Sequence, residues 1–322
     1  MNELRIGVVG IGHLGNYHLQ KYALIPDCRI TAVADVVAER AHRAAAQYGC
    51  LAFQDHRDLL GRVDAVSIAV PTVSHYETAV TFLEAGVSAL VEKPITVTLA
   101  EADALIAAAG RNNAVLQVGF IERFNPAVIA LAKVIQQPLF IEAHRLHPFF
   151  ERGTDVDVIL DLMIHDLDVI LHFVKSPVAA IDAVGVSVLS EMVDIANVRL
   201  KFASGCVANI TASRVTGKTL QKIRFFGIDG YHAVDYNKRD LVSLSKKISD
   251  SGRLDIFSNA VEVCQHDPLE AEIRSFVAAV QNGARPVVSG EDGRNALDLA
   301  LNIAREIKKA KDEILLSIQH GK

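Results

Sequence analysis

Three groups of residues in this sequence have types and spacings that could do chemistry. The first is Gly10-Ile11-Gly12-His13-Leu14-Gly15. It follows an apolar run, Leu4–Val9, and opens a helical pattern. A strand turning through glycines into a helix offers free N–H groups and a positive dipole end to an anion. Gly10 permits the tight turn, Gly12 lets the backbone approach a pyrophosphate, and Gly15 lets helix and strand close on one another. Asp35 ends the next apolar run, about 20 residues on, where a carboxylate accepts from a ribose 2′-OH and repels a 2′-phosphate. No arginine adjoins Asp35, the nearest being Arg40, so the pattern predicts NAD over NADP. The alternative, a glycine turn in a nucleotide-free α/β domain, is opposed by this strand, helix and acid context.

The second group sits after two continuous apolar runs, Asp64–Val70 and Val87–Val91, the pattern of strands buried on both faces. Val70-Pro71-Thr72 leaves the first, with His75 in the helical turn that follows. Glu92-Lys93-Pro94 leaves the second. Ligands of open α/β sheets bind at the carboxyl ends of strands. A lysine there is partly desolvated, which lowers its pKa toward catalytic use. A surface lysine paired with Glu92 is the competing reading, and position alone leaves both open.

The third group is a stripe. In a helix across roughly 155–173, Asp157, Asp161, His165, Asp168 and His172 fall within a sector of roughly 80°. The rest are Leu, Ile, Val, Met and Phe, apart from Asp166 on the opposite side. A narrow solvated face would look similar. A helix this apolar elsewhere is buried around most of its circumference, however, and the stripe lacks the Lys/Glu mixture of a solvated face. Asp161 and His165, at i and i+4, suit a general base, because a carboxylate beside an imidazole orients it and raises its pKa. No second cluster converges to make the stripe a metal site, and none is expected.

These groups need elements to position them. Residues 1–119 alternate strand-like with helical runs: His13–Leu24, Val37–Tyr48, Ser74–Ala85 stopped by Gly86, and Leu99–Ala109 stopped by Gly110. The alternation implies a doubly wound parallel sheet. After Phe120 the pattern changes to a helix at Pro126–Ile135, a strand at Leu139–His147 and the long striped helix. Alternating strands follow to Cys264, including a hairpin of Val193–Phe202 with Cys206–Arg214 turning at Ala203-Ser204-Gly205. Helices return at Pro268–Gln281 and Glu291–Leu316, and Lys246–Arg253 reads as a surface loop. The expected division is a cofactor domain at 1–121 and a substrate and oligomerisation domain of α+β type at 122–322, with a large, mostly antiparallel open sheet.

Composition excludes other classes. The chain has 322 residues, of which 50% are hydrophobic, and a net charge of −5. Residues 1–122 carry 9 basic and 13 acidic side chains, and the remainder 24 and 25. Neither part has the basic excess that nucleic acid requires. No run approaches the ~20 apolar residues of a membrane span, and the first strand begins too early to leave room for a signal peptide. Cys28, Cys50, Cys206 and Cys264 form no CxxC pair and fit reduced thiols in a cytoplasmic protein.

With the glycine loop, Glu92-Lys93-Pro94 and the Asp161-xxx-His165 helix together, the chain resembles the Gfo/Idh/MocA oxidoreductases over nearly its whole length. Gly119-Phe120-Ile121-Glu122-Arg123-Phe124-Asn125-Pro126 looks like that family's joining segment. The resemblance implies a Rossmann domain, a C-terminal α+β domain whose open sheet carries subunit contacts, and a homodimer or homotetramer. It makes Lys93 and His165 the catalytic pair with Asp161 beside them. It also lays Val70, Thr72 and His75 along the cofactor and Glu92 near the nicotinamide ribose. An alcohol yields hydride to a nicotinamide only as its hydroxyl proton is withdrawn, which is work for an imidazole and an ammonium.

For the substrate the sequence offers Arg123, Asn125, His144, Arg145, His147 and Arg152. The stretch 143–168 looks like members that oxidise UDP-N-acetylhexosamines at C3, and arginines suit a diphosphate. Ordinary structural charges are the alternative for the arginines. The expected activity is oxidation of a secondary hydroxyl of a sugar or nucleotide sugar with NAD. A free-sugar or inositol dehydrogenase, an NAD-dependent glycoside hydrolase and a non-catalytic NAD sensor are the alternatives.

Overall fold

The computed structural model describes residues 3–149, 156–228, 230–248 and 254–320. Arg152, the expected helix start near Asp155 and part of the stretch Lys246–Arg253 lie outside them. Strands β1 (Leu4–Val9), β2 (Cys28–Ala34), β3 (Leu51–Phe53), β4 (Ala65–Ile68), β5 (Ser88–Glu92) and β6 (Leu116–Gly119) form one sheet in the order β3-β2-β1-β4-β5-β6. Every pairing in it is parallel. The runs are apolar without alternation because β4 and most of β1 and β5 are buried on both faces. Helices α1 (His13–Tyr22), α2 (Ala38–Tyr48), α3 (His75–Glu84) and α4 (Leu99–Arg111) make the crossovers.

Local chemistry sets most of the ends. Gly49 closes α2 at φ +66°, and Gly86, at φ +74°, follows α3. Thr98 and Glu101 form a capping box at the start of α4. Gly110 does not stop α4, contrary to the sequence reading. The helix runs to Arg111, and Asn113 takes the left-handed conformation instead, at φ +52°. Strand β3 was not anticipated, since three residues are too few to show a period.

In the second half, α5 (Pro126–Leu131) precedes β7 (Pro138–Leu146), and α6 (Ile164–Phe173) precedes β8 (Val178–Val186), β9 (Ile195–Phe202) and β10 (Val207–Ser213). Then come β11 (Leu220–Gly227), β12 (Tyr231–Asp235), β13 (Asp240–Ile248) and β14 (Leu254–Ser258). The stretch read as a loop from Lys246 therefore begins as the end of β13. Eight strands form one sheet in the order β14-β13-β12-β11-β7-β10-β9-β8, antiparallel except for β10 with β7. The β9–β10 hairpin turns at Gly205, φ +88°. Alternation along β9 buries Ala196, Val198, Leu200 and Phe202. The segment running into α6 packs on β7 and β10.

The chain ends with α7 (Pro268–Asn282) and α8 (Gly290–His320). It forms two compact units, Met1–Phe124 with His266–Leu297, and Asn125–Gln265 with Asp298–Lys322. A continuous second domain at 122–322 therefore differs from the observed division. The apolar face of α7 supplies Ile273, Phe276 and Val277 to the core of the first unit, beside Ile6, Leu19, Tyr22 and Ile30. That burial returns the segment to a sheet whose strands ended far earlier in the sequence. Among the described residues no helix is long and apolar enough to cross a membrane.

The turn from β1 into α1 tolerates no side chain at two positions. Gly10 has φ +87°, and a Cβ there would lie 2.7 Å from the Ala69 carbonyl oxygen. A Cβ at Gly15 would collide with the Gly10 carbonyl oxygen. Gly10→Ala is expected to cost roughly 1–3 kcal/mol in backbone strain alone, with the steric clash added. Thermal melting and NADH titration by fluorescence will read the loss of stability and of cofactor affinity.

Candidate active site

The carboxyl edge of the parallel sheet gathers the candidate residues of the first unit. A cavity of about 590 Å³ opens beside β1 and β4, bordered among others by Gly10, Gly12, Asp35, Arg40, His56 and Val70. Gly12 is the N-cap of α1 and no side chain caps that end. A Cβ added at Gly12 would meet nothing within 4 Å. Backbone amides at an open helix start, with room beside them, fit a dinucleotide's phosphates. His13 and Leu14 lie exposed on the first turn of α1, where His13 stacks edge-on against Tyr17.

Asp35 is buried and braces the loop. Its Oδ2 accepts from the Ile11 amide at 2.7 Å, and its Oδ1 from the Val37 amide at 2.8 Å. Arg40, five residues on in sequence, is brought to 4.0 Å from Asp35 Oδ1 by the first turn of α2. The statement that no arginine adjoins Asp35 therefore holds along the chain but not in space. Val70 borders the cavity, as do Ser74 and Thr78, which sequence reasoning did not name. Thr72 opens the short 3-10 turn Thr72–Ser74 between them.

His75 has a different task from the one expected. It is buried, with Nδ1 2.8 Å from the Pro94 carbonyl oxygen and Nε2 2.9 Å from that of Val70. Burial pushes its pKa below the ordinary value, while the two carbonyls pull it back upward. The ring ties the loop after β4 to the Glu92-Lys93-Pro94 loop after β5, so it positions both and is not placed as a cofactor ligand.

Glu92 is held by a residue that sequence reasoning missed. His18, fully buried on α1, brings Nε2 to 3.0 Å from Glu92 Oε1. The Lys93 amide donates to Glu92 Oε2 at 3.3 Å. Burial raises the Glu92 carboxyl, but the hydrogen bond and charge of His18, then Lys93 and His75, outweigh it and hold the group below its ordinary pKa. Lys93, half-buried, thus follows a carboxylate whose position is fixed from behind.

The second unit carries candidate residues of its own. Residues Ile159–Met163 wind as a π-helix before α6 begins. Such turns are wider than α-turns and recur at functional sites. Asp161 lies within it and His165 just beyond, both half-buried, and Asp168 is 2% exposed. None of the five stripe residues is on an exposed face. Asp157, however, does not continue the stripe: it precedes the helical winding, and its Oδ1 accepts from the Val193 amide at 3.0 Å. Among the described residues no three His, Cys, Asp or Glu are grouped to hold a metal ion.

The start of this segment is clamped from the sheet. Asp194 is fully buried, and its Oδ2 accepts from the Val188, Leu189 and Ser190 amides at 2.7, 2.6 and 2.9 Å. Arg214 donates to Asp194 Oδ1 at 2.8 Å and to the Val156 carbonyl at 2.9 Å. The Val158 amide donates to the Val193 carbonyl at 3.0 Å. Burial pushes the Asp194 carboxyl up, but the Ser190 hydroxyl, the Leu189 and Ser190 amides and Arg214 hold it well below the usual carboxylate range.

The expected substrate ligands are mostly employed by the fold itself. Arg145 is buried, with Nε 2.8 Å from Asp166 Oδ2 and Nη2 3.1 Å from Oδ1, and its guanidinium lies 4.7 Å from the Tyr236 ring centroid. Asn125 caps α5 through the Ala127 amide and donates to the Tyr236 carbonyl at 3.1 Å. Arg123 is 8% exposed and donates to the Val287 carbonyl at 3.4 Å. All three are buried and make these contacts within their own units. His144 pairs with Thr211 and Lys222 along the strands, so alternation turns it to the opposite face of β7 from Arg145. His147 places Nδ1 2.6 Å from the Pro148 carbonyl oxygen.

The stabilisation that Asp194 gains from its partners is present above its unfolded pKa, near 4, and is lost as pH falls through its depressed folded value. Asp194→Asn is therefore expected to lower Tm most near neutrality. The gap to the native chain should shrink steadily in melts taken toward acid pH.

Residues 4–120 match the oxidoreductase family with the NAD-binding Rossmann fold, and residues 136–232 match the GFO/IDH/MocA C-terminal domain. The chain is 40% identical over 306 residues to UDP-N-acetylglucosamine 3-dehydrogenase of Acidithiobacillus ferrooxidans, covering 94% of this chain and 97% of that protein. It is 28% identical over 328 residues to myo-inositol 2-dehydrogenase of Thermotoga maritima, covering 96% and 97%. A solved structure of the Acidithiobacillus ferrooxidans enzyme superposes with a TM-score of 0.88 at 38% identity, over 96% of this chain and 99% of the other. Levoglucosan dehydrogenase in complex with NADH and L-sorbose shares the fold, with a TM-score of 0.85 at 21% identity over 96% and 98%. The chain belongs to the GFO/IDH/MocA oxidoreductases, a family of nicotinamide-dependent sugar dehydrogenases.

Proposed function

We propose that this protein oxidises a secondary hydroxyl of a nucleotide sugar, at C3 of a UDP-N-acetylhexosamine, with NAD as hydride acceptor. The observation that carries the reading is the combination of Lys93 at the end of β5 with Asp161 and His165 at the π-turn, on a chain so like UDP-N-acetylglucosamine 3-dehydrogenase. A second reading, a free sugar or inositol, is favoured by one finding: Arg123 and Arg145, which would have suited a diphosphate, are engaged within the fold.

A bound nicotinamide supplies the acceptor for the hydride. The chain's own residues handle the proton. His165 withdraws it from the substrate hydroxyl, and the Lys93 ammonium stabilises the negative charge developing on that oxygen. Asp161 orients the imidazole or takes a neighbouring substrate hydroxyl. Glu92, fixed by His18, sets where Lys93 leaves the sheet. The amides at the start of α1 would hold the pyrophosphate, and Asp35 would accept from the adenosine ribose. Arg40 beside Asp35 offers a countercharge that would soften discrimination against a 2′-phosphate. Exposed apolar side chains on β8, among them Val184 and Val186, favour a homodimer or homotetramer built on that sheet, in the cytoplasm.

The direct test follows NADH absorbance with NAD and a panel of UDP-N-acetylhexosamines, free sugars and inositols. Reduction with UDP-sugars alone is the expected result, and reduction only with free polyols would replace it with the second reading. Lys93→Met should bind NADH as the native chain does while kcat falls roughly 10²- to 10⁴-fold, and full activity would remove Lys93 from the mechanism. Asp35→Ala should narrow the preference for NAD over NADP in kcat/KM, an assignment that an unchanged ratio would overturn.

A further inference from the structure

A carboxyl group with no evident task lies inside the first unit. Glu272 on α7 is 1% exposed, and neither of its side-chain oxygens has a hydrogen-bond partner. Two more buried polar atoms of the first unit share that condition, Gln117 Oε1 on β6 and His18 Nδ1 on α1. The Gln117 side-chain amide donates to the Glu272 backbone carbonyl at 3.2 Å. Helix α7 packs on α1, and Ile273 shares one core with Leu19 and Tyr22. The other nitrogen of His18 is the one that meets Glu92 at 3.0 Å.

We propose that Glu272 is a positioning residue for the Glu92–Lys93 loop: buried without a hydrogen-bond partner, it stays protonated, and its neutrality preserves the Glu92–His18 pair from which Lys93 is presented. The inference rests on the reading of Lys93 as a working residue of the site. Ionisable groups on the elements packed on α7 are His13, Tyr17, His18, Lys21 and Tyr22 on α1 and Glu122 and Arg123 in the turn before Asn125, and Glu92, next to Lys93, acts on Glu272 through its charge. Lys21 is engaged by Asp267 at 3.0 Å and Arg123 by the Val287 carbonyl. Burial, followed by the charge on Glu92, drives the Glu272 carboxyl well above its ordinary pKa. A buried carboxyl without a cation stays neutral because desolvation penalises its charged form. Ionisation at alkaline pH would set a second negative charge near Glu92, in competition for His18.

The sign of the pH effect follows. Glu272 ionises near pH 4.3 in the unfolded chain but keeps its proton in the fold, so folding takes up a proton above that pH. Relative to Glu272→Gln, the native chain should lose stability as pH rises, by up to about tenfold in the folding equilibrium constant per pH unit until the folded group titrates. Melts of the native chain, Glu272→Gln and Glu272→Met across pH 5 to 9 read this directly. Met keeps the volume if Gln impairs folding. NADH affinity and turnover over the same range read the positioning. The expected result is a Tm gap that widens with pH, together with alkaline losses of NADH affinity and kcat/KM that the neutral variants suppress. Parallel Tm curves would overturn the proposal, and so would a widening gap with unaltered alkaline losses. If no sugar is oxidised at all, the proposed reaction falls, while the melts and NADH titrations still decide whether Glu272 holds its proton and steadies the loop.

Discussion

Parallel hydrogen bonding of β1 to both β2 and β4 sends all the strands of the first sheet out at one edge. Every connection must then cross by a helix on a face of the sheet, and every strand's following loop lands at that edge. The Gly10–Gly15 turn, the Val70 loop and the Glu92-Lys93-Pro94 loop come together for this reason alone. Their cross-ties, Asp35 to the Ile11 amide and His75 to the Val70 and Pro94 carbonyls, join loops that topology has already made neighbours. Removing the parallel constraint would leave the same motifs with nothing to converge on.

The second unit solves a different problem. Its helical segment lies on one face of a mostly antiparallel sheet, and the polar residues it carries must be held at fixed depth. Two buried ion pairs do this, Arg145 with Asp166 and Arg214 with Asp194. Taking such charges from water is costly, and the pairs survive because each carboxylate is met bidentately or by several amides. The Asp194 cluster anchors the loop on which the segment begins, and Asp166 holds α6 from the side opposite His165. Between these anchors the π-turn sets the phase at which Asp161 and His165 emerge.

Buried polar groups therefore divide into two kinds here. Asp35, Asp166 and Asp194 are engaged by amides or guanidinium groups, so they fix geometry. Glu92 is held by His18 and the Lys93 amide, whereas neither carboxyl oxygen of Glu272 has a hydrogen-bond partner. A rigid scaffold with a titratable patch behind a loop can hold that loop in place and still make its hold depend on pH.

The elements and the motifs were legible because they are local. Glycine spacing, unbroken apolar strands and the switch from period 3.6 to period 2 read out within a dozen residues, and they sufficed for the doubly wound sheet, the antiparallel sheet and the family. Asp161, His165 and Lys93 stand out as candidates for the same reason, as residue types out of character with the runs around them. Tertiary structure alone decided which polar groups met. Nothing local says that His18 reaches Glu92, 74 residues away, that α7 returns to the first unit, or that Arg40 turns back to Asp35. Nor does it say that Arg145 closes on Asp166. Those outcomes depend on burial, since a charge taken out of water binds whatever partner the packing of distant segments puts beside it.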